Sequence, residues 1–98
     1  MNTNGTGKLV LNLDGNVITN REELHNTIAW HLQLTDYYDR NLDALWDMLS
    51  TRSEPLHIEV THVAQLQQHL GDYADALLQL LRETIDENPA VTLKIVLS

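Results

Sequence analysis

"LHIEVTHVAQLQQHLGDYADALLQLLRETIDENPAVTLKIVLS", residues 56–98, decides the architecture. Leu56, Ile58 and Val60 alternate with His57 and Glu59, the period of a half-buried strand. That strand is expected at a sheet edge. "THVAQLQQHLG" follows as a short helix with Val63, Leu66 and Leu70 inward, ended by Gly71. "DYADALLQLLRETIDEN" is a longer helix with Asp72 as its cap. Its buried stripe is read as Tyr73, Leu77, Leu78, Leu81 and Ile85, and Pro89 ends it. "VTLKIVLS" is β-branched and mostly apolar, and closes the chain as a strand. Two strands separated by helices pair in parallel through a right-handed crossover.

The N-terminal half has the same grammar. Residues 1–7 are polar and Gly/Asn-rich and are expected to form a disordered tail, leaving one domain over residues 8–98. In "KLVLNLDG", Leu9, Leu11 and Leu13 share one face and Val10 lies on the other. A strand apolar on both faces suggests the middle of a sheet covered on two sides. Asp14-Gly15 signals a turn. "TNREELHNTIAWHLQL" begins a helix capped by Thr19 or Asn20, with Glu22 or Glu23 as the capping-box partner. Leu24, Ile28 and Leu32 form its core stripe. "TDYYDRN" breaks the pattern. Asn41 is then a cap for a helix carrying Leu42, Leu45, Trp46 and Leu49, and "TRSEP" leads out of it. The order is β-α-α-β-α-α-β. The expected fold is α/β: a three-stranded parallel sheet with helices packed around it.

Composition narrows the function. The chain has 98 residues, enough for one modest core. Fourteen acids against 6 Lys and Arg give a formal net charge of −8. That disfavours nucleic acid and anionic membranes as direct partners and favours encounter with a basic protein. Cys is absent, which excludes disulfides and tilts toward a reducing compartment. The N-terminus has no apolar run of signal-peptide kind, and no stretch approaches the roughly 20 apolar residues of a membrane span. A cytoplasmic protein is expected. The five histidines, His25, His31, His57, His62 and His69, show no ligand spacing and are expected at the surface rather than on a metal. No nucleophile elbow or phosphate loop is present. The chain is therefore expected to be neither an enzyme nor a cofactor carrier.

The informative segment is "YYDRNLDALWDML", Tyr37 to Leu49. Asp39, Asp43 and Asp47 follow each other at four-residue intervals, which on a helix is repulsive. With about 100° per residue and Leu42 at zero, Leu45 and Leu49 define the buried face. Trp46 lies at about 40°, Ser50 at about 80°, Asp43 at about 100° and Asp47 at about 140°. These four share a sector beside the core face, and Tyr37, Tyr38 and Asp39 join it from the loop. Solvated acidic faces are common, and Asp43 near a helix N-terminus also favours the dipole. Asp47 lies past the reach of that benefit. Aromatics edging an acid cluster have the composition of an interface that meets Arg and Lys on a partner.

The motif "YY-x-x-NLDALWDxL" resembles the barstar family of ribonuclease inhibitors. Weaker similarity extends over "LDG", Leu24-His25, "LLQLLRET" and "TLKIVLS". The resemblance implies a three-stranded parallel sheet with surrounding helices. It also implies non-covalent 1:1 inhibition of a small, cationic microbial ribonuclease similar to barnase, by an immunity protein that is monomeric when free and protects the RNA of the producing bacterial cell. Barnase and barstar are themselves the standard case of electrostatic steering and strong charge coupling, so that expectation comes with the resemblance.

Carried across, Tyr37 packs on the substrate-binding loop and catalytic His of the nuclease. Asp43 pairs with a cation at the rim, and Trp46 packs at the interface. Asp47 takes the place of the scissile phosphate. Ser50 and Thr51 follow at the helix end, where the family has Thr then Gly. Glu83 is a peripheral acid on the long helix. Asp39 stands where the family commonly has Gly, Arg40 where relatives often have an acid or another polar residue, and Met48 where Cys is familiar. The connection from Thr51 to Pro55 is about one residue shorter than in barstar. Asp39, Arg40 and this connection rim the binding face and point to an altered partner, a related guanine-preferring ribonuclease or the nuclease domain of a larger toxin. The competing reading is a barstar-like fold reused to bind a protein that is not a nuclease.

Overall fold

The computed structural model describes residues 9–34 and 38–97. The tail expected over residues 1–7 lies outside the described residues, as does Tyr37. The elements run β1 (Leu9–Asp14), α1 (Arg21–His31), α2 (Leu42–Ser50), β2 (Leu56–Thr61), α3 (Val63–Leu70), α4 (Asp72–Glu87) and β3 (Val91–Ile95). This is the β-α-α-β-α-α-β order read from the sequence. The three strands form one parallel sheet.

The strand order is β1-β2-β3, which reverses two expectations. β2 is the central strand and not an edge, while β1 is an edge and not the middle. The reason lies in how the sheet is covered. Leu11 and Leu13 of β1 sit beside Ile58 and Val60 of β2, and all four are buried. The opposite face carries Val10, which is 50% exposed, along with exposed Asn12, Thr92 and Lys94. Helices thus cover one face only. Alternation in β2 reports a one-sided sheet, and says nothing about which strands flank it. The open face is held by polar contacts: His57 bonds across the strands to Thr92 Oγ1 at 2.7 Å and lies 3.3 Å from Glu59.

Helix α1 starts where both cap candidates act together. Asn20 Oδ1 accepts from Glu23 N at 2.8 Å, and Glu23 Oε1 accepts from Thr19 N at 2.8 Å. These bonds satisfy donors that the first helical turn leaves without partners. Leu24, Ile28 and Leu32 are buried as expected. His25 is buried with them at 1% exposure, which corrects its surface assignment. Trp30, by contrast, is 78% exposed and adds nothing to the core.

Two details of α4 also differ. Gly71, at φ +60, is the N-cap, and Asp72 is the first helical residue. Glycine adopts that φ without the Cβ penalty. Asp72 still places negative charge at the positive end of the helix. The buried stripe is Ala74, Leu77, Leu78, Leu80, Leu81 and Thr84. Ile85 lies at its margin, 37% exposed, and Thr84 goes in with its hydroxyl donating to Leu80 O at 2.8 Å. Intrahelical bonding is what makes a threonine acceptable there. No described helix is long and apolar enough to cross a membrane.

A candidate protein-binding face

Helix α2 is anchored at both ends before any of its acids is considered. At the start, Asn41 Oδ1 accepts from Ala44 N at 2.7 Å, an N-cap of ordinary kind. Arg40 precedes it at φ +55, turning the chain into the helix, and its Nε donates to Asn26 Oδ1 on α1 at 2.9 Å. At the other end, Thr51 Oγ1 donates to Asp47 O at 2.7 Å. Buried Asn88, past α4, donates to Leu49 O at 2.9 Å and to Arg52 O at 2.7 Å. Leu45 and Leu49 enter the core at 1% and 0% exposure. Burial of two leucines contributes roughly 3–6 kcal/mol toward holding the helix in place.

That anchoring fixes what faces outward. Leu42 and Trp46 are half-buried, while Asp43 and Asp47 are exposed. Asp39, Asp43, Trp46, Asp47 and Thr51 line one open groove of about 880 Å³. Met48 shares it, as do Gln33 and Leu34, two residues that the sequence did not single out. A second groove of about 380 Å³ runs between α2 and α4, where Glu83 joins Asp43 and Trp46. Glu83 accepts from Gln79 Nε2 at 2.9 Å. Ser50 is half-buried and lines neither groove; its hydroxyl sits 3.5 Å from Asp47 O. The structure therefore brings Asp39, Asp43, Trp46, Asp47 and Thr51 together in one groove, places Glu83 in the next beside Asp43 and Trp46, sets Ser50 apart, and leaves Tyr37 outside the described residues. Among the described residues, no cation lies within ion-pair distance of Asp39, Asp43, Asp47 or Glu83.

The loop before α2 is tied to the core by a bridge of three side chains. His25 Nδ1 and the Tyr38 hydroxyl are 2.5 Å apart, and His25 Nε2 and the Tyr73 hydroxyl are 2.6 Å apart. A neutral imidazole donates at one nitrogen and accepts at the other, so it satisfies both phenols. Burial pushes His25 below the ordinary imidazole value, and the charge of Arg40 adds to the shift. Burial likewise pushes the Tyr38 hydroxyl far above the usual phenol range, with Tyr73 reinforcing it. Tyr38 is thereby fixed as a neutral, buried anchor directly before Asp39. The signal for His25 was present in the sequence, because His25, Ile28 and Leu32 stand at i, i+3 and i+7. Among the described residues, no group of three His, Asp or Glu side chains is placed to hold a metal ion.

Comparison with known proteins agrees with the architecture. Residues 9–98 match the family model described as Barstar (barnase inhibitor). The chain is also 38% identical over 76 residues to the protein named "Putative ribonuclease inhibitor YrdF" from Bacillus subtilis (strain 168). That match covers 76% of this chain and 84% of that protein. With the family model spanning nearly the whole chain and a relative at this identity, the chain belongs to the barstar family.

Proposed function

We propose that this protein inhibits a small cationic microbial ribonuclease of the barnase or guanine-preferring kind, binding it 1:1 and covering its active site with α2 and the loop before it. The observation that carries the reading is the groove in which Asp39, Asp43 and Asp47 stand exposed beside half-buried Trp46, with no cation in ion-pair distance among the described residues. Asp43 and Asp47, four residues apart on α2, repel each other in the free protein. The arrangement becomes favourable when a partner supplies the cations.

The chemistry follows from what a ribonuclease must do. Its active site stabilises negative charge building up on a phosphate, with preorganised donors and cations. A carboxylate on a rigid helix accepts the same charge-assisted hydrogen bonds. Asp47 fills that place, and it contains no bond the nuclease can cleave. Asp43 and Glu83 face cations at the rim. Trp46 excludes water from these contacts, which strengthens them, and Tyr37 packs on the substrate-binding loop of the nuclease. The inhibitor acts where its cell's RNA is, so the cytoplasm is its place of action.

The test is a titration of barnase-like and guanine-preferring ribonucleases, and of toxin nuclease domains, with the wild-type protein. The reading expects activity to fall to its floor at one equivalent. It also expects the apparent inhibition constant to rise in proportion to RNA concentration. Undiminished activity across the whole panel, or inhibition independent of RNA concentration, would overturn it.

A further inference from the structure

A groove next to the acidic face gathers two arginines alongside two acids, Glu22 and Asp43. It encloses about 460 Å³ and is lined by Arg21 and Arg40, with His25, Tyr73 and Asp43 among its walls. The whole chain has 6 Lys and Arg against a net charge of −8, so two arginines in one groove are a concentration of its scarce cations. Both are held in place. The Arg21 guanidinium carbon lies 4.2 Å from the centroid of the Tyr73 ring, and that ring is itself fixed by the hydrogen bond between its hydroxyl and His25. Arg40 is fixed by its Nε bond to Asn26. A guanidinium has five N–H donors. Stacking uses none of those of Arg21, and the bond to Asn26 uses one of those of Arg40. Glu22 and Asp43 also line the groove, yet among the described residues neither arginine is within ion-pair distance of an acid there.

Two guanidiniums held in one groove, with donors left over among the described residues, suit an oxyanion. The groove shares Asn41 and Asp43 with the acidic groove, so a protein seated on Asp43 and Asp47 also reaches Arg40. We propose that Arg21 and Arg40 receive a carboxylate side chain of the inhibited nuclease, which lies beside that nuclease's cationic active site. This rests on the inhibitory reading given above and adds the partner's chemistry to it. The face is then charge-patterned, acids meeting the active site and arginines meeting an acid at its border. A nuclease with Lys or Arg at that border point is rejected, because like charges forced together across an interface lose affinity.

The experiment uses the ribonuclease that the wild-type protein inhibits most tightly. Inhibition constants are measured for wild type, Arg40→Gln, Arg40→Glu, Arg21→Gln and Asp47→Ala, each first shown to be folded by its urea midpoint. Arg40→Glu is expected to weaken inhibition at least tenfold, with smaller losses for the two Gln variants. In double-mutant cycles, the loss in Arg40→Gln should be shared with neutralisation of one acidic residue of the nuclease. Arginine variants within twofold of wild type, or losses additive with every nuclease acid, overturn the proposal. Asp47→Ala separates the two levels: if it alone loses inhibition, the inhibitory reading stands and this inference fails. If wild type inhibits no nuclease, both fail. Inorganic phosphate, added to the free inhibitor at constant ionic strength and followed by NMR of the arginine Nε–H signals, tests the other source of the same chemistry. Saturable phosphate binding combined with normal inhibition by Arg40→Gln assigns the groove to a free anion and overturns the carboxylate proposal.

Discussion

Replacing His25 with leucine removes both arms of the bridge that fixes Tyr38. The structure sets the magnitude. Tyr38 is 6% exposed, so its hydroxyl loses its partner in a place water hardly reaches. Leaving a buried hydroxyl unpaired costs about 1–3 kcal/mol. Tyr73 is half-buried and regains water, so its lost bond costs about 0.5–1.5 kcal/mol. Leucine has a volume similar to histidine, which keeps any packing term small. The expected loss is about 2–4 kcal/mol at pH 8, a large fraction of the roughly 5–15 kcal/mol that stabilises a typical domain. Urea unfolding measures it, as a lower midpoint with an unchanged slope.

The size of that gap should depend on pH, in a direction fixed by linkage. In the unfolded chain His25 titrates near its ordinary 6.5, whereas burial depresses it in the folded protein. Between those two values the unfolded chain binds more protons. Stability contributed by the neutral bridge is therefore complete above pH 6.5. It falls as pH drops below 6.5, with a slope of at most about 1.4 kcal/mol per pH unit. His25→Leu lacks this slope. The gap between wild type and variant should narrow from pH 7.5 to pH 5. Asp14 and Glu23, whose carboxyls hydrogen bonds hold below their ordinary values of 3.8 and 4.5, lose their contributions at lower pH and do so in both proteins. A gap below about 1 kcal/mol at pH 8, or one constant between pH 7.5 and 5, refutes the bridge as described.

Three further outcomes follow from the same structure. Asn88→Ala removes two donated bonds to α2 and its exit, plus the bond its Oδ1 accepts from Ala90 N at 3.0 Å; a loss of about 2–4 kcal/mol in urea unfolding is expected. Gly15→Ala drives a Cβ into His62 O and to 2.7 Å from Leu66 N, both backbone atoms, and should destabilise by about 3 kcal/mol on the same assay. Association with the target nuclease, followed by stopped flow, should slow about tenfold or more from low salt to 0.5 M salt while dissociation changes little; a rate flat in salt contradicts a charge-steered encounter.

Local order was legible because each element carries its own signals. Asn41 announced α2, Gly71 ended α3, and Leu45 and Leu49 marked the buried side of α2 by spacing alone. Strand order was not legible. The alternation of Leu56, Ile58 and Val60 shows that one face is covered, and a central strand of a one-sided sheet has the same pattern as an edge. Val10 made β1 look two-sided, although its side chain is half exposed. His25 shares the helical spacing of Ile28 and Leu32, but the partners that satisfy it in the core lie 13 and 48 residues away in the chain. A polar side chain is buried when distant groups satisfy it, and those groups meet only in the fold. The acidic sector fared better. Asp43, Trp46 and Asp47 share one helix, so a wheel placed them together, while Gln33 and Leu34 reached the groove through tertiary packing.

The most direct measurement compares inhibition of the target ribonuclease by wild type and by Asp47→Ala, a substitution at an exposed position that spares the core. Removing a carboxylate that meets buried cations across an interface costs about 2–5 kcal/mol, so the inhibition constant should rise roughly 30-fold to several thousandfold. The urea midpoint should stay close to that of wild type. An Asp47→Ala protein that folds normally and inhibits as tightly as wild type contradicts the placement of Asp47 in the active site.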